Sequence, residues 1–163
     1  MAEDAERAYL EFQLSDRVCA LPADSVREIV PMADLARPPG MPATLQGMLD
    51  LGGQAIPVLR LALLLGLREV PPTLSTVIIV LREPLALMAD EARALRRLPL
   101  SVWKPAEAEN SFNGCADGFL SAPNGGIHRL DPRRLLLEAE RHRIESLREQ
   151  EQARLALLDV QAP

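Results

Sequence analysis

The sequence is poor in aromatic residues and in lysine. The first shortage restricts the composition of the core, and the second bears on the partners that the chain can bind. Aromatic residues make up 3% of the 163 residues, so the core must be built from aliphatic side chains. Lysine occurs once, at Lys104, against seventeen arginines, and the net charge is −5. An extended nucleic-acid surface needs clustered basic residues to neutralise phosphates. The acidic balance therefore argues against nucleic-acid binding.

Cysteine and histidine are too few and too scattered for a metal or redox site. Cys19 and Cys115 form no CxxC spacing, and two thiols cannot make a disulfide framework. We interpret both as small buried hydrophobes. His128 lies in a strand-like pattern and His142 in a highly charged stretch, which favours surface positions over catalytic ones. No metal and no cofactor is expected.

Catalytic and membrane signatures are also missing. The sequence has no G-x-S-x-G, H-E-x-x-H, Walker A or G-x-G-x-x-G motif. Asp90 and Glu91 offer too few oxygen ligands for a hard cation and are interpreted as a solvated strand end. The leucine-rich run 61–65 is far shorter than the roughly 20 residues of a membrane span. The acidic N-terminus is the reverse of a signal peptide. We expect a cytoplasmic protein that is not an enzyme and does not insert into a membrane.

Period-two alternation predicts many short strands. Leu10, Phe12 and Leu14 point one way, which indicates a half-buried strand, and a turn at 15–17 leads into the second arm of a hairpin. Pro57 cannot donate to a ladder and suggests an edge or a bulge. Gly-Gly pairs mark two hairpin turns, at 52–53 and 124–126. Further strands are predicted at 26–30, 48–51, 55–59, 76–81, 85–89 and 127–130.

The chain changes character after residue 130. Asp131 suits a helix N-cap and Pro132 the first helical position, and no glycine or proline occurs from 133 to 160. A long helix is therefore predicted to follow small closed or nearly closed β-barrels. Its apolar stripe has no obvious partner in the same chain, so we interpret it as a face for a second helix, from another copy or from a partner. That helix partner face consists of Ile144, Leu147, Leu155 and Leu158.

The order of these elements resembles the CheW-like domain of chemotaxis coupling proteins and of the regulatory region of chemotaxis histidine kinases. The similarity runs over residues 9–138. Val26, Glu28 and Ile29 are similar to the family's V-x-E-I strand. Residues 47–61, GMLDLGGQAIPVLRL, resemble the signature G-hydrophobic-x-N-L-R-G-x-hydrophobic-hydrophobic-P-V-hydrophobic-D-L.

The resemblance implies a mainly β fold with two SH3-like five-stranded β-barrel subdomains sharing a core over 1–138, plus a long C-terminal α-helix extension over 132–160. It implies an adaptor that couples a methyl-accepting chemoreceptor to the regulatory domain of a CheA-type histidine kinase. The alternative is a CheW-like protein specialised for a different partner, or for self-association, through its C-terminal helix. The implied protein-binding residues are Val26, Glu28, Ile29, Gly47, Met48, Asp50 and Gly52.

The chain departs from the signature at one charged position. The family's N-L-R-G is replaced by residues 50–53, DLGG, so the signature arginine is missing. In the family this arginine pairs with the acid that corresponds to Glu28. Arg27 is adjacent on a strand and is expected to point to the opposite face. Arg37 or Arg60 is then the expected substitute.

Overall fold

The computed structural model describes residues 5–123 and 125–161, except for the side chains of 138–139 and 159–161. Asn124, part of a predicted turn, lies outside these residues. Within them the chain forms eleven strands and two α-helices. They are β1 (Glu6–Leu14), β2 (Arg17–Pro22), β3 (Val26–Pro31), β4 (Leu45–Leu51), β5 (Gln54–Leu59), α1 (Leu61–Leu64), β6 (Val77–Leu81), β7 (Ala86–Ala89), β8 (Glu91–Pro99), β9 (Lys104–Pro105), β10 (Ala116–Leu120), β11 (Ile127–Leu130) and α2 (Glu138–Gln161).

A six-stranded sheet, in the order β8-β1-β2-β11-β10-β9, is closely curled. Its two edge strands follow one another in sequence, since β8 ends at Pro99 and β9 begins at Lys104. Five residues span at most about 18 Å. In a flat sheet, five strand spacings of about 4.8 Å would hold the edges about 24 Å apart. The sheet must therefore curl to bring its edges together.

A five-stranded sheet, in the order β3-β6-β7-β5-β4, is linked across its edges by the chain that leaves β3. The Ala36 amide donates to the Met48 carbonyl at 2.9 Å, and the Met48 amide donates back at 2.8 Å. The β4–β5 hairpin turns through Gly52 and Gly53, whose φ values of +60° and +89° suit a tight hairpin. Pro57 lies inside the sheet, but at a point that β7 does not reach, because β7 pairs with β5 only from Val58 onward.

Both faces of the central strands are buried, because each sheet has a cluster of its own and the two share a third. Ile78 packs in the cluster of the five-stranded sheet, whereas Ile79 joins Phe12 of the other sheet in the shared core. Tyr9 is fully buried and its ring lies 5.1 Å from that of Trp103 in the six-stranded sheet's cluster. The expectation that β1 is only half-buried is therefore wrong.

The C-terminal helix is part of this core along its first half. Ile144 and Leu147 are only 4% and 7% exposed and pack in the shared core. The expectation that these two side chains have no partner in the same chain is wrong. The helix also begins later than expected, at Glu138, because Asp131 instead caps a short 3-10 turn by accepting from the Arg133 amide at 3.0 Å. In the described part of the chain no helix is long and apolar enough to cross a membrane.

His128 is buried, at 1% exposure, and the expectation of a surface histidine is wrong. Its ring packs between Phe112 and Phe119, with centroids 4.5 and 5.0 Å away. Its Nδ1 lies 3.1 Å from the carbonyl oxygen of Asn110. Burial penalises the charged imidazole and lowers the pKa of His128 below its ordinary value of 6.5. The histidine thus serves as a neutral core residue.

We predict that acid destabilises the fold through His128. The unfolded chain takes up this proton at a higher pH than the folded protein does, so the free energy of unfolding falls as the pH drops below about 6.5. Urea unfolding at about pH 7.5 and about pH 5.5 measures the difference. His128→Gln should flatten the dependence, whereas the exposed control His142→Gln should keep it. An equal slope in wild type and His128→Gln would contradict the assignment.

Candidate protein-binding site

An open groove lies where β1 and β8 of one sheet face β3 of the other, and we call it the inter-sheet groove. Its volume is about 300 Å³. Two of its large apolar side chains are exposed, Ile29 at 40% and Leu95 at 70%. Apolar side chains gathered on an exposed surface indicate a protein-interaction site. The groove is lined by Leu10, Ala23, Val26, Glu28, Ile29 and Leu95.

Three of the predicted binding residues, Val26, Glu28 and Ile29, line this groove, but Gly47 and Met48 do not. Both are buried. A Cβ on Gly47 would lie 2.6 Å from Leu35 Cβ and 2.8 Å from the carbonyl oxygen of Ala36. Gly47 is therefore needed for the close approach of the chain that bridges the sheet edges. The structure gives Gly47 and Met48 packing roles, and their expected roles as direct contacts stay predictions.

Asp50 and Gly52 are exposed at the tip of the β4–β5 hairpin and are not among the residues that line the groove. One Asp50 carboxylate oxygen accepts a hydrogen bond from the Gly53 amide at 2.8 Å. The Asp50 side chain thus fixes the turn that Gly52 makes possible. The structure places both residues where a partner could reach them, but not beside Val26 and Ile29.

Arg27 is the basic side chain that pairs with Glu28. Its Nε lies 3.7 Å from a carboxylate oxygen of Glu28, and its Nη1 donates to Oε1 of Gln54 at 3.1 Å. The expectation that Arg27 points away from Glu28 is wrong. The strand register with β6 shifts between Val26 and Glu28, so Arg27 is the extra residue of a β-bulge. A bulge breaks the alternation of side chains on which that expectation relied.

The two expected substitutes lie elsewhere. Arg60 forms a bidentate pair with Glu69 and also donates to the carbonyl oxygen of Ala43 at 2.9 Å. The hydrogen bond with Glu69 raises the pKa of Arg60, and it lowers the pKa of Glu69. Arg37 lines the same surface as Arg60, and neither residue is among those that line the groove. Neither arginine serves Glu28.

The predicted helix partner face is divided by the structure. Ile144 and Leu147 lie in the core, Leu155 is half-buried, and Leu158 is 64% exposed. Leu157, on a neighbouring line of the helix surface, is 61% exposed. Among the described side chains of α2, the exposed large apolar ones therefore lie in the last turns.

Leu95 belongs to a strand that the sequence patterns did not predict. Strand β8 carries Arg93, Arg96 and Arg97, and most of its side chains are exposed on both faces. The strand is held by pairing with β1 and by an ion pair of Arg96 with the buried Glu11, at 2.8 Å. An edge strand of this composition has no apolar alternation. The signal that could have found it is the length of uninterrupted chain between Asp90 and Pro99.

The adjacent acids at the start of β8 do not form a metal site. One Asp90 carboxylate oxygen accepts from the Ser15 amide at 2.6 Å and so caps the β1–β2 turn, instead of lying at a solvated strand end. Across the described ranges no group of three or more His, Cys, Asp and Glu side chains could hold a metal ion.

The fold agrees with comparisons to known proteins. Residues 8–140 match the family model described as CheW-like domain. The chain belongs to the CheW-like family. Its structure is similar to the scaffolding protein TtCheW from Thermoanaerobacter tengcongensis, with a TM-score of 0.73 and 18% identity, over 80% of this chain and 92% of that one. No curated protein matches the sequence significantly. CheW-like proteins are scaffolds and adaptors of chemotaxis signalling, which directs attention to surfaces and not to catalytic groups.

Proposed function

We propose that this protein is a non-enzymatic, cytoplasmic adaptor that couples a methyl-accepting chemoreceptor to the regulatory domain of a CheA-type histidine kinase. The observation that carries the proposal is the inter-sheet groove, with Ile29 and Leu95 exposed inside a CheW-like domain. We further interpret each curled sheet as an SH3-like barrel subdomain of residues 1–138. Such an arrangement leaves a groove where the two subdomains meet.

The groove suits one face of a partner helix. Its floor is apolar, through Leu10 and Val26, and its walls carry Ile29 and Leu95. Glu28 adds one carboxylate, 42% exposed and paired with Arg27. An amphipathic helix docks by placing its apolar side chains in such a groove, while charged groups at the rim select the register. We assign this groove to the helical tip of the receptor.

We predict that Leu95→Glu weakens binding of a chemoreceptor cytoplasmic-tip fragment by about tenfold or more, which is about 1.4 kcal/mol. The new carboxylate would be desolvated among apolar side chains and close to Glu28. Because Leu95 is 70% exposed, the thermal midpoint should change little. Calorimetric titration measures the affinity.

The matched control for this variant is Leu74→Glu, because Leu74 is fully exposed and lies in the segment between α1 and β6. It should bind the receptor fragment as wild type does. Normal binding by Leu95→Glu, or equal losses in both variants, would contradict the placement of the receptor in the groove.

The end of α2 supports a second candidate function. Leu157 and Leu158 are exposed beyond Gln152, whose side chain contacts the β4–β5 hairpin. Fully burying a leucine side chain contributes roughly 1.5–3 kcal/mol of favourable free energy. A contact that buries these two leucines would therefore be stabilising. The second candidate is a CheW-like adaptor that self-associates, or binds a different partner, through this end of the helix.

We predict that a chain truncated after Arg154 keeps its thermal midpoint but elutes as a monomer, whereas the full chain self-associates. Ile144, Leu147 and Gln152 remain in the truncated form, so the core is intact. Light scattering after size exclusion measures the mass. Truncation after His142 is the contrasting variant: it removes two core side chains, and each such loss costs about 2–5 kcal/mol. Equal masses for the full chain and the form ending at Arg154 would contradict self-association.

A further inference from the structure

One side chain of the C-terminal helix, that of Gln152, hydrogen-bonds the β4–β5 hairpin twice. The Gln152 amide donates from Nε2 to the Gly53 carbonyl oxygen at 2.7 Å, and its Oε1 accepts from the Ala55 amide at 2.9 Å. A carbonyl and an amide two residues apart on a strand point to the same side. The Gln152 side chain therefore pairs with the hairpin as a neighbouring strand would.

This pairing occupies a gap in the sheet. Strand β7 lies beside β5 only at Val58 and Leu59, so the first part of β5 has no strand on that side. Pro57 has no N–H to offer there. The groups that do need partners, at Gly53 and Ala55, are the ones that Gln152 satisfies. Without Gln152 the Gly53 carbonyl and the Ala55 amide would lose these hydrogen-bond partners.

Gln54, which lies between Gly53 and Ala55, connects the hairpin to the inter-sheet groove through a hydrogen bond. Gln54 accepts a hydrogen bond at its Oε1 from Nη1 of Arg27, at 3.1 Å. Arg27 in turn lies 3.7 Å from Glu28, which lines the inter-sheet groove. An unbroken set of contacts thus runs from α2 through the hairpin to the carboxylate in the groove.

We infer that Gln152 is a positioning residue for the binding surface, which makes α2 a necessary part of that surface. The helix fixes the hairpin, the hairpin presents Gln54 to Arg27, and Arg27 orients the carboxylate of Glu28. We call these contacts, from Gln152 through Gln54 and Arg27 to Glu28, the relay. The inference rests on the proposed function for the identity of the partner.

The Arg27–Glu28 pair is nearly half exposed on both sides. Exposed pairs add little to stability because solvent screens them. Their effect at an interface is on orientation and specificity. Loss of the relay should therefore appear in partner affinity and in local exchange, while the thermal midpoint hardly moves.

The first measurement needs no partner. In Gln152→Ala, amide hydrogen exchange at Ala55 should accelerate by about tenfold or more, because its acceptor is gone. The Arg27 Nε–Hε resonance in a nitrogen-15 spectrum should shift as well. The matched control is Gln150→Ala, an exposed glutamine on the same helix, which should alter neither signal. Unchanged exchange at Ala55, or an unmoved Arg27 resonance in Gln152→Ala, would overturn the inference.

The second measurement is calorimetric titration with the chemoreceptor-tip fragment. Gln152→Ala and Arg27→Ala should each lower the affinity, by about threefold to tenfold, and the double variant should lose no more than Arg27→Ala alone, since both act through one relay. Additive losses, or full affinity in Gln152→Ala, would overturn the inference. If wild type itself does not bind the fragment, the proposed function fails, and the Ala55 and Arg27 signals alone decide for or against the relay.

Discussion

The core that the two sheets share determines where every other feature of the molecule lies. Phe12 and Leu14 from one sheet meet Ile79 and Leu81 from the other, and Ile144 of α2 completes the cluster. Because these side chains are almost fully buried, the relative position of the sheets is fixed by close packing. The inter-sheet groove is the open margin of this contact, so its shape depends on the core and not on the exposed residues that line it.

One extra residue in β3 sets the electrostatics of the groove. The bulge at Arg27 turns an arginine that should face away toward the carboxylate beside it. Arg27 also hydrogen-bonds Gln54 of the β4–β5 hairpin, and Gln152 of the C-terminal helix hydrogen-bonds the same hairpin at Gly53 and Ala55.

The hairpins of the fold could be predicted from the sequence because each has a local cause. Alternating side chains mark β1, and consecutive glycines mark the β4–β5 turn. Strand β8 could not be predicted in this way, since its charged side chains are held by pairing with β1 and not by an apolar face. An edge strand of this kind depends on its neighbour, which alternation within the strand does not reveal.

The candidate site was predictable in its β3 half only. A sequence motif marks Val26, Glu28 and Ile29. No motif marks Leu95, which lies in the groove because β8 pairs beside β1 in the sheet. The packing partner of α2 could not be predicted either, because an apolar stripe on a helix does not show whether it packs against the same chain or against another one. Ile144 and Leu147 cover their own core, and the leucines beyond Gln152 remain exposed.

The proposed adaptor function depends on binding of the receptor tip in the inter-sheet groove. Methyl-labelled protein titrated with the receptor-tip fragment tests it most directly, because every isoleucine, leucine and valine side chain then reports its own contact. We predict that the largest shifts arise at Val26, Ile29 and Leu95, with small shifts at Leu74 and Leu157. Shifts concentrated at Leu157 and Leu158, with Ile29 and Leu95 unmoved, would contradict it.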